Sequence, residues 1–180
     1  MKHILICGER RSGKSSLVER LIRECRAPVC GFVTRIMHER GDGYHEIYMF
    51  PAGEEPGALS EENHVGDCNS RERSVNTSVF ETLGVRLLSG AQPGGVIVMD
   101  ELGFMEAGAP DFCRKVLDCL DGDIPVLATV KGKCMEVDFL SRVKKHPKAR
   151  LYELTSENRE QLYEELLPQV RGWGEAAGKC

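Results

Sequence analysis

Short apolar runs along this chain alternate with stretches of helical period. Ile4-Leu5-Ile6-Cys7 reads as a buried strand and Ser16 to Arg23 as the helix after it. Pro28 to Thr34 predicts a second strand. Tyr44 to Phe50 alternates like one strand of a hairpin, with Gly41-Asp42-Gly43 as its turn. From Ala52 to Ser74 periodicity fades, and Gly, Pro, Glu and Asn predict a long surface loop. A helical pattern returns over Val75 to Ser89, and Gln92-Pro93-Gly94-Gly95 breaks it. Val96-Ile97-Val98-Met99 then predicts a buried strand. Residues 110–120 read as a helix, Ile124 to Val130 as a strand, and Lys131 to Lys148 as containing a helix. Arg150 to Leu154 is a last strand and Asn158 to Val170 a last helix. The residues from Arg171 onward predict a loosely ordered tail, with Trp173 as a packing anchor. Alternating strands and helices predict one three-layer α/β domain over residues 1–170, its mostly parallel sheet covered by helices on both faces.

Between the first strand and first helix lies Gly8-Glu9-Arg10-Arg11-Ser12-Gly13-Lys14-Ser15, which fits the phosphate-loop pattern G-x-x-x-x-G-K-[ST] in its strand–loop–helix setting. Glycines let the backbone curl until its N–H groups point at phosphate oxygens, and the helix start adds partial positive charge. Lys14 is expected at the β- and γ-phosphates and Ser15 on Mg²⁺. Ser16, next in the chain, is expected among the nucleotide contacts.

The strand ending at Met99 carries Asp100 and Glu101 at its tip, as a Walker B strand does. Asp100 is the second expected metal residue, beside Ser15. Glu101 is expected to take a proton from, or orient, a water in line with the γ-phosphate. Asp100-Glu101-Leu102-Gly103 also fits the D-x-x-G of GTPases, but no N-K-x-D follows, so a guanine-specific switch is disfavoured. Ligands of such sheets bind at strand carboxyl ends, where the loop, Asp100-Glu101, Thr129 and the turn after Leu154 would converge. Positive charge for the β–γ bridge has Arg10, Arg11, Arg35, Lys131 and Lys133 as candidates, Lys131 first because it ends a strand at the site.

Composition narrows the classes. A net charge of −4 over 180 residues gives no basic footprint for nucleic acid. No apolar run is long enough to span a bilayer, and a strand starts almost at residue 1, so no membrane partner and a cytoplasmic setting are expected. The eight cysteines form no C-x-x-C pair or zinc spacing and read as reduced thiols, with Cys7 the one whose oxidation would disturb nucleotide binding. His3, His38, His45, His64 and His146 form no spaced constellation.

The phosphate loop, Gly31-Phe32-Val33-Thr34, Val98 to Glu106 (D-E-x-G-x-M-E at its heart), Pro125 to Thr129 and Thr155 to Arg159 together resemble the small P-loop nucleoside-triphosphatases called cancer-related or thermophile-type NTPases. The resemblance covers residues 1 to about 170, with 40–75 divergent. It implies a RecA- and kinase-related fold and slow, Mg²⁺-dependent hydrolysis of ATP, GTP and other nucleoside triphosphates. It puts Glu101 in the place of the catalytic acid and Asp100 in that of the metal carboxylate. Leu102 and Gly103 belong to the same nucleotide-binding run, and Asn158 and Arg159 lie where base or sugar would be approached. Val65 to Asn69 stands where the family has a Gly-Lys-Tyr-like segment. Two other classes use the same residues. One is a small-molecule kinase with Lys131 to Arg150 as its lid. The other is a nucleotide-dependent module that docks a protein partner through 52–74.

Overall fold

The computed structural model describes residues 2–39, 43–69, 72–132 and 137–173. The chain runs β1 (His3–Gly8), α1 (Lys14–Glu24), β2 (Val29–Glu39), β3 (His45–Pro51), β4 (His64–Cys68) and β5 (Arg73–Val75). A continuous helix, α2, follows, built from Thr77–Val79, a π-helical turn at Phe80–Gly84, and Val85–Ser89. Then come β6 (Val96–Leu102), a 3₁₀ turn (Met105–Gly108), α3 (Pro110–Asp121), β7 (Val126–Lys131), α4 (Asp138–Lys144), β8 (Ala149–Leu154) and α5 (Arg159–Gly172).

All eight strands form one sheet in the order β5-β4-β3-β2-β6-β7-β1-β8. Strands β2, β6, β7, β1 and β8 are parallel, and β3, β4 and β5 add on antiparallel beyond β2. Side chains alternate across the sheet with period two, and both faces are covered. Leu5, Ile97 and Met99 point into the layer made by α2, α3 and α4, where Phe80, Phe112, Val116 and Leu140 meet them. Ile4, Ile6, Val96 and Val98 point the other way, onto Leu17 and Leu21 of α1 and Leu162 and Leu166 of α5. Phe112 packs edge-on against Phe32 at 5.4 Å and Phe80 at 5.3 Å, centroid to centroid. Gly84 makes room for that ring, since a Cβ there would lie 2.7 Å from it.

Several boundaries differ from the sequence reading. The segment 52–74, expected as a loop, contains β4 and the start of β5. Val75 belongs to β5, and the helix starts at Thr77. β2 extends five residues past Thr34 to Glu39, because β3 supplies its ladder partners. The turn residues Gly41 and Asp42 lie outside the described residues. The last helix continues through Gly172, and Arg171, expected in a loose tail, makes an ion pair with Glu24. Trp173 is half-buried against the α1–α5 layer. Residues 174–180 lie outside the described residues. Within the stretch considered as a lid, α4 sinks Phe139, Leu140 and Val143 into the core. Among the described residues no helix is long and apolar enough to cross a membrane.

Candidate active site

β1 ends between β7 and β8, with Gly8 level with Lys131 on one side and Leu154 on the other. A Cβ on Gly8 would lie 2.5 Å from the Leu154 carbonyl oxygen and 2.8 Å from Ser12 Oγ, so a side chain has no place at this turn. Arg11 (φ 66°) and Gly13 (φ 95°) are left-handed, which folds the loop back to the start of α1. The Leu17 N–H then donates to the Gly13 carbonyl at 3.0 Å and opens the helix.

Lys14 is buried, and its Nζ donates to the Gly8 carbonyl at 3.2 Å and the Glu9 carbonyl at 3.0 Å. The same Nζ stands 3.6 Å from Glu101 Oε1, ion-pair range rather than a hydrogen bond. Burial pushes the Glu101 carboxyl above its ordinary range, against the opposing charges of Lys14 and Lys131. Its Oε1 is buried without a hydrogen-bond partner.

Asp100 is 1% exposed. Its Oδ1 accepts from Ser15 Oγ at 3.2 Å and Thr129 Oγ1 at 2.5 Å, and its Oδ2 faces Arg35 Nη1 at 3.2 Å. Ser15 and Asp100 thus bring a hydroxyl and a carboxylate, both hard oxygen donors, to one point. That set fits Mg²⁺, which commonly takes one or two carboxylates and completes its shell with phosphate oxygens and water. Among the described residues no group of three or more His, Cys, Asp or Glu is arranged to hold a metal unaided. Thr34 fastens the other side of this strand end: its Oγ1 donates to the Asp100 carbonyl at 3.1 Å and accepts the Glu101 N–H at 3.3 Å.

One cleft of about 1310 Å³ opens here, lined among others by Gly8, Glu9, Arg10, Arg11, Gly13, Lys14, Ser15, Ser16, Thr34, Glu101, Gly103 and Lys131, with Asp100 and Thr129 buried behind it. Lys131 Nζ sits 4.2 Å above the Phe104 ring. Arg35 is held between Asp100 and Glu19. Lys133 lies outside the described residues. Three of the residues expected at the nucleotide are engaged within the protein. Leu102 is wholly buried, its side chain in the core. Asn158 spends its amide on the turn, accepting the Thr155 N–H and donating to the Glu153 carbonyl, each at 2.9 Å. Arg159 donates to the Ser12 carbonyl at 2.9 Å and lies against Gly13, so it braces the phosphate loop.

Sequence reasoning passed over two groups. Thr34 gave no sign of its role because it precedes its partners by more than sixty residues. Glu106 is 3% exposed, accepts the Gly103 N–H at 2.9 Å, and is pushed up to about 7 by burial. Its only sequence signal was its place at the end of the D-E-x-G-x-M-E run.

A family model described as NTPase matches residues 3–167. The nucleoside-triphosphatase THEP1 of Thermotoga sp. (strain RQ2) is 31% identical over 93% of this chain and 95% of its own length. That of Methanocaldococcus jannaschii is 29% identical over 93% of this chain and 96% of its own. The crystal structure of THEP1 from Aquifex aeolicus superposes with a TM-score of 0.72 at 25% identity, covering 93% of this chain and 98% of that one. The solution structure of a human cancer-related nucleoside triphosphatase superposes at 0.69 with 22% identity, covering 96% and 98%, and shares the fold. With a phosphate loop, an acidic strand tip and a family match over nearly its whole length, this chain belongs to the NTPase family.

Proposed function

We propose that this protein hydrolyses nucleoside 5'-triphosphates to the diphosphate and phosphate, with Mg²⁺ and with weak preference among bases. The observation that carries the reading is the position of Glu101: a half-buried carboxyl at the tip of β6, 3.6 Å from the phosphate-loop lysine and next in sequence to an aspartate bonded to Ser15. The printed name of the relatives, nucleoside-triphosphatase, supports the same activity.

In this mechanism the loop's N–H groups and Lys14 grip the β- and γ-phosphates. Bound Mg²⁺ would be held by Ser15 and Asp100 and would neutralise charge on the phosphate oxygens. Glu101 accepts a proton from a water. The water oxygen bonds to the γ-phosphorus as the bond from phosphorus to the β–γ bridging oxygen breaks, and the diphosphate leaves. A carboxyl raised by burial is a stronger base once ionised than an exposed one. Lys131, at the end of β7, is the further cation at the γ-phosphate. Weak base preference follows from Asn158 and Arg159 being engaged with the turn and the loop. The free thiols among the described residues suit a reducing, cytoplasmic setting.

The test is phosphate release from ATP, GTP, CTP and UTP with Mg²⁺ and no acceptor, in the parent and in Glu101→Gln, with nucleotide binding followed separately. Turnover on several nucleotides that drops roughly 10²–10⁴-fold in the variant, with binding retained, supports the reading. Nucleotide bound by the parent without phosphate release overturns it.

A further inference from the structure

The cleft is larger than the phosphate chemistry requires. At about 1310 Å³ it exceeds the roughly 300–1,000 Å³ of an ordinary small-molecule site. The phosphate loop closes one end of it, at β1. From β1 the lining continues past β7 and β6 to β2, β3, β4 and β5. Neighbouring strands lie about 4.8 Å apart, so β3 is roughly 19 Å and β4 roughly 24 Å from β1. A triphosphate held at the loop uses only the near part of that span. Asn158 and Arg159, where base or sugar was expected, follow β8, on the other side of β1 from β7, and are not among the cleft's lining residues.

The far half has its own chemistry. Ile47 and Met105 give it apolar surface, with the core residues Val65 and Phe80 buried behind them, and His45, Glu72 and Arg73 stand at its edge. Phe104 marks the boundary between the halves. Its ring contacts two cations, with Arg73 Cζ at 4.1 Å and Lys131 Nζ at 4.2 Å from the centroid. Arg73 comes from β5 and Lys131 from β7, so the antiparallel extension reaches back over the site through this stack. An apolar surface beside a fixed cation is one way proteins hold small organic anions.

We propose that the far half of the cleft is a second binding site, for a small organic anion with a flat apolar body, occupied at the same time as the nucleotide. The apolar body lies against Ile47 and Met105, and the anionic group meets Arg73 beside Phe104. The proposal rests on the reading of the phosphate loop as the nucleotide site.

The probe is 1-anilinonaphthalene-8-sulfonate, which has a flat apolar body and one fixed negative charge. Its fluorescence is titrated against the full chain, alone and with saturating Mg·ADP, for the parent, Arg73→Glu and Ile47→Trp. The expected result is one saturable site per chain whose signal persists when Mg·ADP is bound. Arg73→Glu, on an exposed strand, weakens the dye at least tenfold, and Ile47→Trp abolishes its binding. Circular dichroism and melting temperature confirm that each variant is folded. Loss of the dye on saturation with Mg·ADP overturns the proposal, because the far half then belongs to the nucleotide. Dye that binds both variants like the parent, or no saturable binding by the parent, overturns it as well. A protein that takes up no Mg·ADP refutes the proposed hydrolysis, while the two variants still decide whether the dye site exists.

Discussion

Thr129 Oγ1 stands 2.5 Å from Asp100 Oδ1, across the β6–β7 pair, with both residues almost fully out of water. Ser15 Oγ reaches the same oxygen at 3.2 Å. The carboxylate assigned to magnesium is therefore oriented by a neighbouring strand before any ligand arrives. A hydrogen bond to a charged group contributes about 1.5–3 kcal/mol. Thr129→Val should raise the magnesium concentration for half-maximal phosphate release by roughly 10- to 100-fold, at about 1.4 kcal/mol per tenfold. A magnesium titration of the steady-state rate checks this.

Lys131 joins the Phe104 ring to the phosphate end of the cleft. In the proposed role its charge meets the negative charge that builds on the β–γ bridging oxygen as the bond breaks, so its loss should fall on kcat more than on KM. Lys131→Met should lower kcat by roughly 10²–10³-fold, the scale of removing one preorganised donor from a reacting oxyanion. Steady-state kinetics on ATP with unchanged magnesium is the measurement. A change confined to KM would remove Lys131 from the chemistry.

Gly31 lies in β2 with φ of 104°, and a Cβ there would sit 2.0 Å from the Val98 carbonyl oxygen. The obstacle is backbone of the central sheet and cannot rotate away. Gly31→Ala combines left-handed strain with a broken β2–β6 register, and should destabilise the fold by about 3 kcal/mol or more. Urea unfolding of the parent and variant reads this directly.

Glu106 and His3 make stability depend on pH in opposite senses. The buried Glu106 carboxyl is pushed up to about 7 from the ordinary 4.5, so the folded chain holds its proton more tightly. Stability from this group is complete below pH 4.5 and is lost as pH rises through about 7. The gap is worth on the order of 3 kcal/mol. His3 is buried, accepts the Val126 N–H at 3.1 Å through Nδ1, and is lowered to about 4. Its contribution is present above pH 6.5 and is lost as pH falls toward about 4. The two slopes oppose each other between pH 4.5 and 6.5. Glu106→Gln should remove one of them, leaving a melting temperature that rises with pH across that interval. Thermal melts of both proteins in a buffer series would show it, and parallel profiles would refute it.

What could be read from the sequence was local. β1, the phosphate loop and α1 are contiguous, and the tip of β6 follows directly from four apolar residues, so each signal sits within a dozen positions. β4 and β5 escaped notice because they are five and three residues long, and the pairing of β4 with β3 carries a register shift at Ile47 and Tyr48. Gly66 adds to this, since its backbone passes so near Ser74 that a Cβ would lie 2.1 Å from the carbonyl oxygen. Leu102 illustrates a limit of motif reading: it lies inside the acidic run, yet the bulge at Asp100-Glu101 turns it to the core. Glu106 looks like a solvated acid until the 3₁₀ turn folds it back onto Gly103.

The strand that carries the phosphate loop comes first in the chain, but both of its sheet neighbours come late: β7 begins at Val126 and β8 at Ala149. Before those strands exist, β1 has no partner and Gly8 has no Leu154 carbonyl to turn against. Such long-range parallel pairing raises contact order and slows folding. During synthesis, residues 8–15 emerge early from the ribosome, yet they acquire a shape that can grip phosphate only after most of the chain has followed. Nucleotide capture is in this sense a late report that the whole sheet has closed.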